Sequence, residues 1–361
     1  MKSMRILQVS PFTFDEVGGV SEHVRNITSR LAKKHDVTVY VTDGRKSFPR
    51  YQDFDGAKVM RFTRYSPNDA YFFSLDMLLA LRKSEFDVVH AHCYHALPMH
   101  FAPFAKYKKL IITTHFHGVG HSTFRNSLVR LFKPFGERAL TKAERIIAVS
   151  EYEKQLVQRE FGFDDDKLVV IPNGVILNDF SALRKKQHNS GTILHVGNLL
   201  EYKGSRHLIE VLPKLSENFK LEIVGRGPMR PLLEKRALQL KVRDRIKFYD
   251  RLSRQDLLQK YADADIFVLL SRYEAYSIVV AEALTAGTPC IVTKTSALTE
   301  WVDEKTCFGV NFPVDLDSLA RKIEYVLAHT NTDKEQTRKW VGTKILDWDN
   351  VTQKLEDIYN Q

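Results

Sequence analysis

Ile266-Phe-Val-Leu-Leu-Ser-Arg-Tyr-Glu-Ala-Tyr-Ser-Ile-Val-Val-Ala-Glu-Ala-Leu-Thr-Ala-Gly-Thr-Pro289 runs from an apolar stretch through a polar loop into a helical pattern. Ile266 to Leu270 carries no polar side chain, so it reads as a strand buried on both faces, the mark of a parallel sheet. The helix that follows closes at Gly287, ahead of Pro289, because glycine accepts the left-handed cap and proline cannot continue the ladder. A strand end feeding a helix start is where open α/β sheets place their ligands. Glu274 falls on the connecting loop, and Glu282 is expected about two turns into the helix, facing the same side. Free amides at the helix start favour an anion between them. One carboxylate can then hold a sugar hydroxyl and the other a ribose. Taken alone, the pair is no more than a loop acid and a solvated helix acid.

The rest of the chain repeats this alternation. Strands are expected at Arg5–Ser10, Asp36–Val41, Lys58–Phe62, Val88–Ala91, Leu110–Thr114, Arg145–Val149 and Val169–Ile171, with a helix over Ser21–Lys34 that Ser21 would cap. The pattern restarts with Thr192–Val196, Lys220–Val224, Arg245–Phe248, Ile266–Leu269, Pro289–Val292 and Gly309–Phe312. Parallel sheets covered by helices, in two domains, follow from this order. The polar stretch 183–191 reads as the linker. A last amphipathic helix near Trp348–Tyr359, with Val351, Leu355 and Tyr359 on its apolar face, comes after the second domain is complete. It must pack elsewhere.

With 361 residues, 43% hydrophobic and 27% charged, the chain is long enough for two cores and has a globular composition. Three scattered cysteines without a CxxC pair support neither a disulfide framework nor a structural zinc site, and fit a reducing cytoplasm. No signal peptide or membrane-spanning run is expected. The net charge of +10 is uneven: between Arg82 and Arg145 stand eleven Lys/Arg against four Asp/Glu. Within that span Phe124, Leu128, Leu131 and Phe135 recur at helical spacing beside Arg125, Arg130, Lys133 and Arg138. Pro134 is expected to kink or interrupt the helix. Such a segment either lies on an anionic membrane through 124–138, helped by Tyr71-Phe72-Phe73, or packs on a core with a wet basic side. No nucleic-acid module accompanies the charge.

Three glycine turns follow strands: Gly18-Gly19, Gly197-Asn198 leading to Lys203-Gly204, and Gly225-Arg226-Gly227. Each lets backbone approach a ligand, and Lys203 can neutralise a phosphate. None has P-loop or complete dinucleotide spacing. Histidines crowd between His90 and His121, which invites a metal, but no HExxH occurs and few carboxylates are interleaved. A metal is therefore not expected. His115, at the end of an apolar strand, is better read as a residue of a ligand crevice.

Together these motifs resemble glycosyltransferase family 4, retaining enzymes of the GT-B fold. The E-x7-E element of Glu274 and Glu282 is the most specific part, supported by Gly18-Gly19, Thr114-His115, Val149-Ser150, Ile171-Pro-Asn-Gly-Val175, Glu201-x-Lys203-Gly204 and the helix near Trp348. The resemblance implies two Rossmann-like domains facing a deep cleft: an acceptor side at 1–180 completed by helix 349–361, and a nucleotide-sugar side at 181–348. It implies a hexosyl transfer from a UDP- or GDP-linked sugar to a hydroxyl, with a cell-envelope or lipid-linked acceptor and no metal. Glu282 would hold the ribose and Glu274 the sugar. The amides around Tyr276, Ser277 and Ile278 would bind sugar or diphosphate, with Lys203 neutralising the latter. Gly18 and Gly19 would approach the diphosphate, and His115 would sit beside the sugar. Arg251 and Leu252, within 249–252, would border the base. His115, Glu274 and Lys203 are the expected catalytic groups.

The chain departs from the family pattern at three points. Asn198 stands where the family has arginine, so Arg226 or Arg272 is a candidate replacement in donor binding. Ala275 and Ser277 stand where glycine is common. These departures keep open a GT-B-fold protein that binds a nucleotide sugar, or serves as a partner subunit, without transfer. A different α/β enzyme, an epimerase or oxidoreductase, is the third reading. A cytoplasmic location, peripheral at the inner face of the membrane, completes the expectations.

Overall fold

The computed structural model describes residues 3–45, 47–66, 72–119, 123–184, 191–329, 341 and 344–361. Tyr71, His121 and most of the expected linker lie outside them, as do the side chains of Phe124 and Arg125. The chain divides into two compact units, residues 1–174 with 348–361, and residues 175–347. The first break falls at Gly174/Val175 rather than near 180, and the second at Asp347/Trp348. Val175 N–H donates to the Leu346 carbonyl at 2.9 Å, and Leu177 N–H to the Asp347 carboxylate at 3.0 Å. These bonds tie the segment after Gly174 into the second unit.

The strands are β1 (Arg5–Ser10), β2 (Asp36–Asp43), β3 (Tyr51–Phe54), β4 (Ala57–Thr63), β5 (Glu85–His92), β6 (Lys106–Thr113), β7 (Arg145–Ala148) and β8 (Leu168–Val170) in unit 1. In unit 2 they are β9 (Thr192–Val196), β10 (Lys220–Val224), β11 (Ile246–Tyr249), β12 (Ile266–Leu269), β13 (Cys290–Thr293) and β14 (Cys307–Val310). The helices, in chain order, are α1 (Gly19–Leu31), α2 (Leu75–Leu81), α3 (Leu97–Phe101), α4 (Thr123–Lys142), α5 (Glu151–Phe161), α6 (Ser205–Val211), α7 (Arg230–Gln239), α8 (Arg254–Asp263), α9 (Ile278–Thr285), α10 (Leu316–His329) and α11 (Trp348–Asn360).

Unit 1 has the strand order β3-β4-β2-β1-β5-β6-β7-β8, and all pairings are parallel except β3 with β4. Unit 2 has the order β11-β10-β9-β12-β13-β14, parallel throughout. Both orders reverse once, between β1 and β5 and between β9 and β12. Ligands of doubly wound sheets bind at the carboxyl ends of strands beside such a reversal. Each sheet has its own apolar core.

Four local outcomes differ from the sequence reading. β3 is not foreseen, because Tyr51-Gln-Asp-Phe54 is largely exposed and carries no apolar run; Asp55 and Gly56, both left-handed, turn it back on β4. Ser21 does not cap α1. Gly18 does, and the Ser21 hydroxyl, one turn inside, donates to the Thr13 carbonyl at 2.7 Å. Pro134 does not interrupt α4, which runs through it for 20 residues. Glu282 is the fifth residue of α9, one turn in rather than two, because the helix does not begin until Ile278.

Helix α11 belongs to unit 1. Trp348, Val351, Leu355 and Tyr359 are buried, and Glu356 accepts from Lys34 at 2.7 Å and lies 3.1 Å from His35 Nε2. Its apolar face therefore docks beside α1.

Candidate functional site

In unit 2 the loops after β9 and β12 flank the sheet reversal. The first carries Lys203 in a single turn of tight helix, and Gly204 follows with φ 72°. A Cβ at Gly204 would lie 2.3 Å from the Leu270 carbonyl oxygen, so only glycine lets the two loops close. They are tied by the Arg272 N–H donating to the Tyr202 carbonyl at 2.8 Å. Beside that bond, Lys203 Nζ meets Glu274 Oε1 at 2.5 Å, with side chains 17% and 12% exposed. Burial pulls the Lys203 ammonium toward neutrality, but the Glu274 carboxylate outweighs it and raises its pKa above the ordinary lysine value. The pair is a fixed cation next to a fixed anion at the mouth of the reversal. The glycine turn after β10 seats against the same loop: a Cβ at Gly225 would sit 1.9 Å from the Gly197 carbonyl.

Glu274 N–H donates to Ser296 Oγ at 2.9 Å, which anchors the loop leading into α9. Tyr276 is buried against Trp301, whose indole N–H donates to the Tyr276 carbonyl at 2.8 Å. Ser277 then precedes α9 at φ 84° and ψ 80°, a region where side chains other than glycine are strained. That explains why glycine suits this position. Ser277→Gly is expected to stabilise unit 2 by about 1 kcal/mol, the cost of one such left-handed residue. Chemical denaturation followed by fluorescence measures it, and an unchanged or lower midpoint would refute it.

Glu282 is held from two sides. Arg254 Nη1 donates to Oε1, and Tyr261 OH donates to Oε2 at 3.0 Å. The carboxylate keeps 7% side-chain exposure. Burial first, and then the adjacent Glu282, push the Tyr261 phenol well above its ordinary pKa, so it remains a donor. Arg254 also reaches Asp179 at 3.3 Å. Neither Arg254 nor Tyr261 stood out in the sequence. A signal was present: Ser253 Oγ accepts from Asp256 N–H at 3.1 Å, the S-x-x-D cap that places Arg254 at a helix start.

The other expected donor residues are spread more widely. Asn198 is exposed and Ile278 half-buried. Arg226 is 68% exposed and lies 3.9 Å from Asp250. Arg251 is exposed and Leu252 half-buried after β11. Arg272 stacks over Tyr273 and Phe312 at 5.0 and 5.3 Å. The structure thus joins Lys203 to Glu274 and Glu282 to Arg254, while Arg226 and Arg272 have contacts of their own.

In unit 1 the reversal lies between β1 and β5. The turn after β1 ends in Gly18, where a Cβ would meet nothing within 4 Å, so the packing of the fold does not itself require glycine here. The first amides of α1 have no side-chain cap. His115 follows β6 with φ 45° and is buried. Its neighbours are pinned by Glu153, which accepts from Thr114 Oγ1 at 2.5 Å, from Phe116 N–H, and from Val149 N–H at 2.6 Å. Glu153 is the third residue of α5 and its own N–H donates to Ser150 Oγ at 3.1 Å. The strand-end Val149-Ser150 motif therefore orients the His115 loop.

His115 has buried company. His92 ends β5 and His23 lies on α1, with ring centroids 6.1 and 5.0 Å from His115. Burial drives all three imidazoles well below the ordinary histidine pKa, His23 to about 4. His90, behind them, spends both nitrogens, on Tyr359 OH at 2.6 Å and Thr113 Oγ1 at 2.7 Å.

Comparison with known proteins decides the family. A family model described as Glycosyltransferase Family 4 matches residues 17–179, and one described as Glycosyl transferases group 1 matches residues 179–340. The chain belongs to glycosyltransferase family 4. An uncharacterized glycosyltransferase of Methanocaldococcus jannaschii is 28% identical over 95% of this chain and 94% of its own. A human phosphatidylinositol N-acetylglucosaminyltransferase component is 26% identical over 100% of this chain and 76% of its own. Among solved structures, sucrose-phosphate synthase from Thermosynechococcus elongatus superposes with a TM-score of 0.83 at 19% identity, covering 100% of this chain and 99% of that one. The fold of this family 4 member is therefore GT-B.

Proposed function

We propose that this family 4 glycosyltransferase is retaining, and moves a hexosyl unit from a UDP- or GDP-linked sugar to a hydroxyl of a lipid-linked or cell-envelope acceptor. The observation that carries the reading is the pairing of Lys203 with Glu274 at 2.5 Å beside the reversal of the unit 2 sheet. Lys203 neutralises the departing diphosphate together with the α9-start amides at Tyr276, Ser277 and Ile278, so Mg²⁺ or Mn²⁺ is not needed there. Glu274 orients the sugar. Glu282, set by Arg254 and Tyr261, accepts from the ribose hydroxyls. The family resemblance assigns His115 to the sugar and the uncapped amides after Gly18-Gly19 to an anionic group. Arg251 and Leu252 border the base.

The experiment is thermal unfolding with a panel of nucleotide sugars. One donor at 100 times its Kd stabilises its unit by about 2.7 kcal/mol. The reading expects one base and sugar combination to stand out, and that shift to shrink in Glu282→Ala. No shift from any UDP- or GDP-sugar would overturn it.

The acceptor side rests on the relative whose name specifies a phosphatidylinositol acceptor, and on the surface of α4. Leu131 and Phe135 are 65% and 63% exposed, beside exposed Arg130 and Arg138. They do not pack on the core, whereas Lys133 is half-buried and 3.5 Å from Glu160. This face suits an anionic membrane surface at the inner side of the cell membrane. Co-sedimentation is expected with phosphatidylserine-containing vesicles over phosphatidylcholine ones. The double variant Leu131→Ser, Phe135→Ser should lower the partition about 100-fold, which corresponds to roughly 1.5 kcal/mol for each of two large apolar side chains no longer buried. Equal binding to both lipids would dismiss the membrane role. Among the described residues no helix is long and apolar enough to cross a membrane.

A further inference from the structure

We infer that His23, His92 and His115 form a binding site for one divalent transition ion, of the Zn²⁺ class, at the sheet reversal of unit 1. The residues come from three elements: α1, the last position of β5, and the loop after β6. One ring nitrogen from each lies within 4.8 Å of the others. All three residues are buried, His23 and His92 completely. Each ring also keeps one buried nitrogen without a hydrogen-bond partner: Nε2 of His23, Nδ1 of His92 and Nε2 of His115. Buried polar atoms are ordinarily paired, and among the described residues this is the one cluster that brings three possible ligands together.

The opposite nitrogens explain why the free ones suit a cation. His23 Nδ1 lies 2.7 Å from Asn173 Oδ1, and His92 Nε2 lies 2.7 Å from Gln8 Oε1. With a carboxamide oxygen accepting at one nitrogen, that nitrogen carries the proton and the other presents a lone pair. A second partner of this kind fixes tautomer and ring orientation in histidine metal sites. His90 is excluded because both its nitrogens are used. An all-imidazole set selects zinc-like ions over magnesium or calcium, which need oxygen. Ligand nitrogens around a tetrahedral ion with bonds of about 2.05 Å lie roughly 3.4 Å apart, so the rings close by on the order of 1 Å. Three ligands leave a fourth position open.

The site goes beyond the transfer reading and is separate from the diphosphate chemistry assigned to unit 2. It uses Nε2 of His115. Sequence spacing hides it, because His23 stands far from the histidine-rich stretch.

The test uses the full chain, dialysed against chelator and titrated with Co²⁺. One equivalent is expected to produce the visible d–d absorption of a four-coordinate nitrogen site, which Zn²⁺ then removes by displacement. His23→Gln and His92→Gln should each weaken Co²⁺ at least tenfold, and Asn173→Ala about 10- to 100-fold through lost orientation. The exposed His329→Gln should not change it. X-ray absorption of the zinc-loaded wild type keeps the test independent of whether the variants fold, with nitrogen neighbours expected at about 2.0–2.1 Å. Absence of stoichiometric binding, a sulfur or all-oxygen shell, or affinity unchanged in both histidine variants would overturn the site. Because the readout is the metal's own spectrum, its failure is distinguishable from failure of the donor-binding reading.

Discussion

Lys203→Met is expected to lower kcat/KM for donor turnover about 10³-fold, which is roughly 4 kcal/mol of lost transition-state stabilisation. The expectation follows from where the ammonium is held. It sits on a turn that only Gly204 allows, 2.5 Å from Glu274, and that carboxylate keeps it charged. A cation fixed before reaction costs no reorganisation as charge develops on the leaving diphosphate. The same substitution leaves Glu274 largely buried and unpaired, and is expected to destabilise unit 2 by about 1–3 kcal/mol. The double variant Lys203→Met, Glu274→Gln separates the two effects. It should recover most of the stability, because no uncompensated charge remains, and none of the activity. Steady-state release of nucleoside diphosphate and denaturant midpoints on the same samples give both readouts. Recovery of activity in the double variant would mean that Lys203 matters only for folding.

Glu282→Ala is expected to weaken donor binding about 100-fold, the equivalent of one to two charge-assisted hydrogen bonds to ribose. The carboxylate is oriented in advance, by Arg254 on one oxygen and Tyr261 on the other, so little ordering cost remains when ribose arrives. The specific check is the response to a 2′-deoxyribose nucleotide. Wild type should bind it more weakly than the ribonucleotide, and Glu282→Ala should treat the two alike. Arg254→Ala should give a smaller loss, since Tyr261 still holds one oxygen. If Glu282→Ala still preferred the ribonucleotide, the ribose would have to be read elsewhere.

Much of this was legible in the sequence. β1, β9, β10 and β12 have the expected boundaries: β12 is a fully buried unbroken apolar run, and the other three are short, largely apolar segments bounded by turn signals. The loop position of Glu274, the helix closing at Gly287, and the docking of the last helix through Val351, Leu355 and Tyr359 were readable for similar reasons. What was not legible depended on partners distant in the chain. Arg254 reads as one more exposed arginine until α8 brings it to Glu282. His23 reads as a helix residue until β5 and β6 bring His92 and His115 beside it. Ser277 was visible as a departure, but its φ of 84° supplies the reason. Pro134 does not end the helix as local propensity allows, since α4 runs through it for 20 residues.

Early-turnover proton NMR tests the central claim most directly, using the α-linked nucleotide sugar that gives the largest thermal stabilisation. The account predicts that the first transferred or hydrolysed sugar appears as the α-anomer, in step with nucleoside diphosphate, and that both signals disappear in Lys203→Met and in Glu274→Gln. A β-anomeric first product, or release that persists at the wild-type rate in those variants, would contradict it.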